Sequence, residues 1–189
     1  MRRAALALGL LAVLLAWPTA QTPRKRLDAP NLGPYVPTPQ EVVDRMLTLA
    51  KVTKADIVYD LGCGDGRIPI TAAEKYGARG VGVDIDPERI AEANANAKRA
   101  GVSHLVTFRL EDAMRTDVSE ATVLTLYLLS ASNLKLRPLV TRQLKPGARI
   151  VAHAFGMGDW EPDGVDTFTD SSNSPRTLYL WIADGKVRP

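Results

Sequence analysis

Residues 57–68 read Ile57-Val-Tyr-Asp-Leu-Gly-Cys-Gly-Asp-Gly-Arg-Ile68, and the rest of the chain is organised around this stretch. It begins with a β-branched, apolar run, reaches an acid at Asp60, and then places three glycines in alternate positions before a segment with helical spacing. This order predicts a strand, a tight turn and a helix. Because glycines let the backbone approach a ligand closely, the turn predicts a binding site for a nucleotide-like molecule.

The composition around this stretch is that of one globular domain able to bury its own core. The chain has 189 residues, of which 46% are hydrophobic and 24% are charged. The formal net charge is +3, and Arg2 and Arg3 supply two of those charges. Beyond residue 20 the charge is close to balanced, so it does not indicate a nucleic-acid partner.

Cysteine and histidine are too rare to build a metal centre. Cys63 is the only cysteine, which excludes an internal disulfide, and His104 and His153 are the only histidines. The sequence therefore predicts no metal site. We interpret Cys63 as a small side chain required between loop glycines, and His153 as a structural histidine.

Residues 1–20 have the pattern of a targeting segment. Arg2 and Arg3 precede an uninterrupted apolar run over residues 4–17, a length typical of a signal peptide and short for a membrane-spanning helix. Three cations at residues 24–26 follow the run, so the orientation rule does not choose a side of the membrane. We expect a signal peptide or an uncleaved anchor, hence export or membrane association through residues 4–17.

Residues 21–33 are polar, basic and proline-bearing, which is typical of a linker, and the folded domain is predicted over residues 34–189. The prolines of residues 33–37 favour an extended backbone. Thr38 as N-cap, Pro39 at the first helical position and Glu41 as the partner in a capping box predict the start of a helix.

Alternating strand and helix patterns continue to the C-terminal region. Asp86 and Pro87 predict the start of a further helix, and Pro138 predicts a break in the helix over residues 130–144. The fold predicted is α/β: a doubly wound, mostly parallel, seven-stranded Rossmann-like sheet with an antiparallel edge strand. After the first strand, the others are predicted at residues 80–84, 105–110, 121–128, 149–154, 165–169 and 177–182.

Ligands of such sheets bind beyond the carboxyl ends of the strands, and an acid follows each of the first three strands. Asp84 lies 22 residues beyond Gly62, the spacing of a carboxylate that accepts hydrogen bonds from ribose. Asp112 is placed to accept a hydrogen bond from an adenine amino group. Tyr127 and Leu128 stand at the end of the predicted fourth strand.

The glycine turn itself reads GxGxG, one residue shorter than the dinucleotide pattern GxGxxG. Only Arg67 follows it as a group that could neutralise a pyrophosphate, whereas Asp65 within the turn suits a cationic, amino-bearing ligand. A dinucleotide remains open at this point but is disfavoured.

Four motifs in order resemble those of class I S-adenosylmethionine-dependent methyltransferases: residues 60–66, 82–84, 111–113 and 144–147. The resemblance spans roughly residues 34–182. It implies S-adenosyl-L-methionine as the cofactor, with its methionine part against the glycine turn, its ribose at Asp84 and its adenine at Asp112. The cofactor-binding residues it implies are Asp60, Gly62, Gly64, Asp65, Gly66, Asp84, Ile85, Asp112 and Ala113.

Residues 34–39 (Pro-Tyr-Val-Pro-Thr-Pro) and 65–68 (Asp-Gly-Arg-Ile) are similar to small methyltransferases related to the mitochondrial ATP synthase c-subunit lysine methyltransferase. That family has Phe where this chain has Tyr35. The similarity implies a protein lysine as methyl acceptor, while the residues themselves leave a small-molecule acceptor open.

Methyl transfer is an in-line displacement at an already activated sulfonium methyl group, so it requires positioning more than a dedicated acid–base pair. We hypothesise that Tyr35, Tyr127 and Asn133 line the acceptor channel. Two other functions stay open: an NAD-dependent oxidoreductase, and a noncatalytic adenosyl-ligand-binding protein, which the export-like N-terminus favours because the methyl donor is made and used inside cells.

Overall fold

The computed structural model describes residues 25–189, so the targeting segment predicted over residues 1–20 lies outside the described part of the chain. The helices are α1 (Gln40–Leu49), α2 (Arg67–Tyr76), α3 (Pro87–Arg99) and α4 (Ser130–Gln143). The strands are β1 (Ile57–Leu61), β2 (Arg79–Asp84), β3 (Val106–Leu110), β4 (Val123–Leu126), β5 (Arg149–His153), β6 (Gly164–Thr169) and β7 (Pro175–Ile182).

The seven strands form one sheet in the order β3-β2-β1-β4-β5-β7-β6. Strands β1 to β5 are mutually parallel, and β7 runs antiparallel to both β5 and β6. The predicted fold is thus confirmed. The strand order reverses between β1 and β4, which places the ligand crevice of a doubly wound sheet at the carboxyl ends of those two strands.

Helices cover both faces of the sheet, and the central strands β1 and β4 are therefore buried along almost their whole length. On one face, α1 and α2 pack through residues such as Val43 and Ala72 against Val58 of β1. On the other face, α4 packs through Leu136 against a cluster that includes Leu124 and the fully buried Trp181. The central strands are therefore fixed on both sides, and the loops at their carboxyl ends start from rigid positions.

The predicted start of α3 has the expected geometry. The Asp86 side chain accepts a hydrogen bond from the backbone N–H of Glu88 at 2.9 Å and caps α3, with Pro87 at the first helical position. Gly77 adopts the left-handed conformation that ends α2. Strand β4 ends at Leu126, two residues earlier than predicted, so Tyr127 and Leu128 lie in the following loop.

The predicted capping box at α1 is wrong. The N-cap is Pro39, and neither Thr38 nor any other side chain caps the helix. The Glu41 carboxylate instead accepts a hydrogen bond from Ser171 N–H at 2.9 Å. A tertiary contact from a loop 130 residues away has replaced the local bond that the sequence pattern favours.

The predicted break at Pro138 is also wrong, because α4 is one continuous helix with Pro138 inside it. An interior proline removes one hydrogen bond and strains the preceding turn. Buried residues on both sides, among them Leu136 and Val140, hold the two halves on the core. Tertiary packing thus outweighs the local preference to break.

Within residues 25–189 the structure has no helix that is long and apolar enough to cross a membrane.

Candidate active site

A cavity lies at the carboxyl edge of the sheet, between the loops that follow β1, β2, β3 and β4. It is covered by an N-terminal segment, residues 26–38, which we call the strap. Ten of the residues predicted for the donor or acceptor site line this one cavity: Tyr35, Asp60, Gly62, Gly64, Asp65, Asp84, Ile85, Asp112, Ala113 and Tyr127.

The glycine turn is built for close approach. Gly64 has a φ of +52°, and a Cβ atom there would collide with the Tyr35 ring of the strap. Gly62 has a φ of +83° and would place a Cβ atom 3.2 Å from Leu128. Both positions require glycine because the turn must lie flat between the strap and the β4 loop.

Gly66 does not line the cavity. It is the N-cap of α2, and a Cβ atom there would meet Phe108 and Ala93, on the side of the turn away from the ligand space. Its role in the structure is to let α2 pack closely on α3 and β3.

Asp84 connects two loops of the cavity wall. Its Oδ2 accepts a hydrogen bond from Gly64 N–H at 3.0 Å, and its Oδ1 accepts one from Asp86 N–H at 2.9 Å. The carboxylate is thus oriented by backbone donors from the turn after β1 and from the loop after β2. A carboxylate held in this way is preorganised to accept further hydrogen bonds from a ligand with its remaining lone pairs.

Asp60 lies beneath the cavity with only 4% of its surface exposed. Burial raises the pKa of the Asp60 carboxyl to about 7, with a further rise from the nearby Asp84 and Asp65, while a 2.8 Å hydrogen bond from the Thr125 hydroxyl opposes that rise. The buried carboxyl would therefore ionise more readily next to a cationic ligand.

Asp65 is not a free acid, in contrast to the role that the sequence suggested for it. Its carboxylate accepts hydrogen bonds from Nε of Arg67 at 2.9 Å and from Nη2 of Arg67 at 2.5 Å. Burial opposes ionisation, but the hydrogen bonds and charge of Arg67 outweigh it and lower the pKa of Asp65. The third Arg67 nitrogen, Nη1, donates to the Thr38 carbonyl oxygen at 2.7 Å, so this ion pair ties the glycine turn to the strap.

The far end of the cavity is formed by the loop after β3. Oδ1 of Asp112 accepts a hydrogen bond from Met114 N–H at 2.9 Å, and Ala113 lies between these two residues. Glu111 N–H donates to the Asp84 carbonyl oxygen at 3.0 Å, which joins this loop to the end of β2. The two acids predicted for ribose and adenine are thus neighbours on one wall.

The strap closes the cavity by contacts with the loop after β2 and with the start of α4. Leu27 N–H donates to the Ile85 carbonyl oxygen at 2.9 Å, and Arg26 forms a 3.1 Å ion pair with Asp86. The Ser132 hydroxyl at the start of α4 donates to the Leu32 carbonyl oxygen at 2.6 Å. Residues 26–33 have the composition of a linker, yet they form part of the cavity wall. In the sequence, only the prolines of residues 33–37 predicted a fixed backbone nearby.

Tyr35 is the aromatic residue of the strap. The guanidinium carbon of Arg89 lies 4.7 Å from the centre of the Tyr35 ring, an arrangement typical of a cation–π contact. The ring covers Gly64 and remains 44% exposed on its other side.

Tyr127 also lines the cavity, on the loop after β4. Its ring lies against His153 with ring centres 4.1 Å apart, and against Phe155 at 6.4 Å in a near-parallel arrangement. Burial, reinforced by Arg176, lowers the pKa of His153 to about 4, so the imidazole is neutral near pH 7. Its Nδ1 has no hydrogen-bond partner among the described residues.

Asn133, predicted for the acceptor channel, is fully buried and does not line the cavity. Its Nδ2 donates to the Phe155 carbonyl oxygen at 2.9 Å. Asn133 therefore supports the loop that carries Phe155, whereas Tyr127 itself lines the cavity. A sequence pattern cannot distinguish a side chain that lines the cavity from one buried behind it.

Cys63 is buried, and burial next to Asp60 and Asp84 raises the pKa of its thiol well above the usual value, which disfavours the reactive thiolate. Among residues 25–189, no three potential metal ligands of the His, Cys, Asp and Glu types come together.

Residues 60–164 match the sequence profile of the ANTKMT methyltransferase domain, more than half of the chain. The chain belongs to this methyltransferase family. Over 150 residues it is 48% identical to a protein-lysine N-methyltransferase of Saccharolobus islandicus, covering 79% of this chain and 92% of that protein. It is 32% identical to the ATP synthase c-subunit lysine N-methyltransferase of Xenopus laevis, covering 71% of this chain and 61% of the relative.

A solved structure described as an RNA methyltransferase from Salinibacter ruber, in complex with S-adenosyl-L-homocysteine, is 52% identical to this methyltransferase. The TM-score is 0.75, and the match covers 81% of this chain and 97% of that one. The chain is an S-adenosylmethionine-dependent methyltransferase, as the sequence motifs predicted, and the oxidoreductase and noncatalytic alternatives are not supported.

The residues of the cavity fit the methyl donor. Gly62 and Gly64 line the cavity with backbone, packed closely under Leu128 and the Tyr35 ring, and Asp84 is positioned by two backbone donors. Asp60 is a buried carboxyl whose ionisation a cationic ligand would favour. This combination suits a ligand with ribose hydroxyls at one end and positive charge at the other.

Proposed function

We propose that this methyltransferase N-methylates a lysine side chain of a protein, with S-adenosyl-L-methionine as the methyl donor. The main support for this proposal is the 48% identity, over 79% of this chain, to a protein named a protein-lysine N-methyltransferase. Further relatives are named for lysine methylation of the ATP synthase c-subunit and of the adenine nucleotide translocase.

The acceptor wall suits this chemistry. The donor supplies an activated methyl group, and the chain has to hold an uncharged amine in line with it. The Tyr127 ring, backed by His153 and Phe155, offers a flat aromatic face beside the donor cavity, against which the alkyl chain of a lysine can pack. Since His153 is buried and its lowered pKa of about 4 makes the imidazole a weak base, we assign proton removal from the lysine to solvent.

Methylation of RNA is the second candidate, and the Salinibacter ruber neighbour favours it because that protein is described as an RNA methyltransferase. The charge of this chain opposes it. With 24 basic and 21 acidic residues, and two of the basic ones at Arg2 and Arg3, the folded part has no large excess of positive charge for a phosphate backbone.

A comparison of cells with and without the gene tests the proposal. Lysine methylation is measured by mass spectrometry of the whole proteome, and methylated nucleosides are measured in total RNA from the same cells. We expect at least one lysine site to lose its methyl groups without the gene and to regain them when the wild-type gene is restored, but not with Asp84→Asn. An unchanged lysine methylome together with a lost RNA modification would reject lysine in favour of RNA.

We further propose that residues 4–17 direct the protein to a membrane, because that run is apolar and preceded by Arg2 and Arg3. Fractionation of cells expressing the full chain with a C-terminal reporter tests this. The reporter should be recovered with the membrane or outside the cytoplasm, and deletion of residues 2–20 should return it to the soluble cytoplasmic fraction. Identical distribution of both forms would contradict the proposal.

A further inference from the structure

The strap connects the donor cavity to the apolar run of residues 4–17 by a short piece of chain. Its first contacts are the ion pair of Arg26 with Asp86 and the hydrogen bond from Leu27 N–H to the Ile85 carbonyl oxygen, both just after β2. Position 26 follows position 17 by nine residues, and even a fully extended chain of that length spans only about 30 Å. A membrane that holds residues 4–17 therefore lies close to the carboxyl edge of the sheet, where the cavity is.

Four exposed apolar side chains lie at the same edge, and we call them the apolar rim. Tyr35 and Val36 belong to the strap, Leu110 is the last residue of β3 and Leu129 is the N-cap of α4, and each is between 44% and 52% exposed. Leu129 lies beside the strap, because a Cβ atom added at Gly33 would come within 3.8 Å of it. Exposed apolar side chains around a cavity mouth mark a surface that binds a partner or a lipid surface.

The charges next to the rim favour a lipid surface. Arg24, Lys25 and Arg26 are three consecutive cations between the apolar run and the strap, and Arg115 in the loop after β3 is largely exposed. Cations beside a hydrophobic segment are attracted to the negative headgroups of a bilayer. Apolar side chains that enter the headgroup region and cations that bind the headgroups act together in an interfacial contact.

The opposite edge of the sheet also carries positive charge. Lys51 and Lys54 are exposed before β1, and Lys145 is exposed before β5. These lysines would attract anionic lipid as well, but the strap that leads to residues 4–17 is attached at the carboxyl edge. The position of this attachment and the apolar rim together select the carboxyl edge.

We propose that the apolar rim rests on an anionic membrane surface, with the mouth of the donor cavity turned toward the lipid headgroups. The three cations at residues 24–26 bind the headgroups, and the rim side chains lie between them. The inference rests on the membrane role proposed for residues 4–17, and it holds for whichever acceptor receives the methyl group. The strap is then a link that sets how the catalytic domain is oriented on the membrane.

The single cysteine of the chain makes this orientation measurable. Cys63 is buried, so a new exposed cysteine can be labelled selectively with an environment-sensitive fluorophore. Leu129→Cys places the label on the rim, and Lys145→Cys places it on the opposite edge as the matched control. Neither Leu129 nor Lys145 lines the cavity, and calorimetry with S-adenosylhomocysteine checks that each labelled protein is folded.

The labelled full-length proteins are added to vesicles of phosphatidylcholine with about a quarter phosphatidylglycerol, an anionic surface. Nitroxide groups on the lipid headgroups quench only a label that reaches them. The label at position 129 should shift its emission to the blue and lose about half of its fluorescence or more, because an interfacial apolar side chain lies about 5–10 Å into the headgroup region. The label at position 145 should keep its emission wavelength and intensity.

Flotation of the vesicles shows first whether the full chain binds them. A chain that does not float with the vesicles would overturn both the membrane role of residues 4–17 and the orientation. A chain that floats but shows equal quenching at the two positions, quenching at neither, or stronger quenching at position 145 would overturn the orientation alone. None of these results depends on lysine methylation, which is measured separately.

Discussion

Asp84 is the residue through which the turn after β1 and the loop after β2 are joined, since its two carboxylate oxygens accept from Gly64 N–H and Asp86 N–H. Asp84→Asn replaces one acceptor oxygen with a donor, so one of these contacts is lost and the charge is removed. We expect affinity for S-adenosylhomocysteine to fall by about 2 kcal/mol, or roughly 30-fold, the scale of a hydrogen bond to a charged group.

Calorimetry on the variant measures this loss. Asp117→Asn is the control, because Asp117 is an exposed acid outside the cavity and its substitution should leave the affinity unchanged. If Asp84→Asn bound the ligand as tightly as the wild type, Asp84 would have to be removed from the donor site.

Asp60 makes donor binding depend on pH. Burial raises the pKa of Asp60 to about 7, so the carboxyl is largely protonated in the free protein below that pH. The ionised form attracts the sulfonium and ammonium groups of the donor, and affinity should therefore rise with pH as the carboxyl loses its proton. The rise should flatten above about pH 7, because Asp60 is then already ionised without ligand.

The measurement is the dissociation constant of S-adenosylmethionine at several pH values between about 5.5 and 7.5, below the titration of an α-amino group. The wild-type affinity should increase several-fold over this interval, at most about tenfold per pH unit. Asp60→Asn, which cannot ionise, should show a flat profile. Parallel profiles for the two proteins would show that Asp60 does not respond to the donor.

The strap is attached to α4 by a 2.6 Å hydrogen bond from the Ser132 hydroxyl to the Leu32 carbonyl oxygen. Ser132→Ala removes this bond and should loosen residues 31–36 over the cavity. We expect their amide hydrogens to exchange roughly three to ten times faster, since a neutral hydrogen bond contributes about 1 kcal/mol.

Hydrogen exchange followed by mass spectrometry gives the rates peptide by peptide. Ser130→Ala is the matched control, because Ser130 belongs to the same helix but is exposed. Exchange in β1, at the centre of the sheet, should be the same in all three proteins. Unchanged exchange of the strap in Ser132→Ala would mean that the remaining contacts hold it in place.

The elements also show which features a local sequence pattern can predict. The glycine turn and the cap at Asp86 were predictable because each is decided by residues within one turn of backbone. The strap was not, since its anchor joins residues 32 and 132, and no local pattern records that contact. The same limit explains Asn133: α4 was predicted, but whether a side chain reaches the cavity depends on the neighbouring β5 loop.

The predictions made from Thr38 and Pro138 failed for the opposite reason. Each residue gave a clear local sequence signal, but tertiary contacts determined the structure instead. The Thr38 residue is fixed by Arg67 against the glycine turn rather than used as a cap, and Pro138 is held within a helix packed on the core. The doubly wound sheet and the acids at its strand ends were predictable, since such a sheet brings all carboxyl ends of its parallel strands to one edge.

For the molecule as a whole, the buried His153 should make folding sensitive to acid. Burial lowers its pKa from 6.5 to about 4, so the unfolded chain binds a proton at a higher pH than the folded protein does. The stability associated with the neutral imidazole is complete above about pH 6.5 and is lost as the pH falls toward 4. His153→Gln should therefore lose less stability than the wild type between pH 7.5 and pH 5.

Urea unfolding at the two pH values gives the free energies of unfolding, and the difference between them is compared across variants. His104→Gln is the control, because His104 is exposed and its removal should leave the difference unchanged. An equal loss in His153→Gln and the wild type would show that another group is responsible for the acid sensitivity.

We propose that this molecule transfers a methyl group from S-adenosylmethionine to a protein lysine. The most direct measurement incubates the purified full chain with trideuteromethyl-labelled donor and an extract of cells lacking the gene, and then analyses the hydrolysed protein and the RNA nucleosides by mass spectrometry. We predict labelled Nε-methyl-lysine in the protein hydrolysate, strongly reduced with Asp84→Asn. Label that appears only in nucleosides, or in no lysine at all, would contradict the claim.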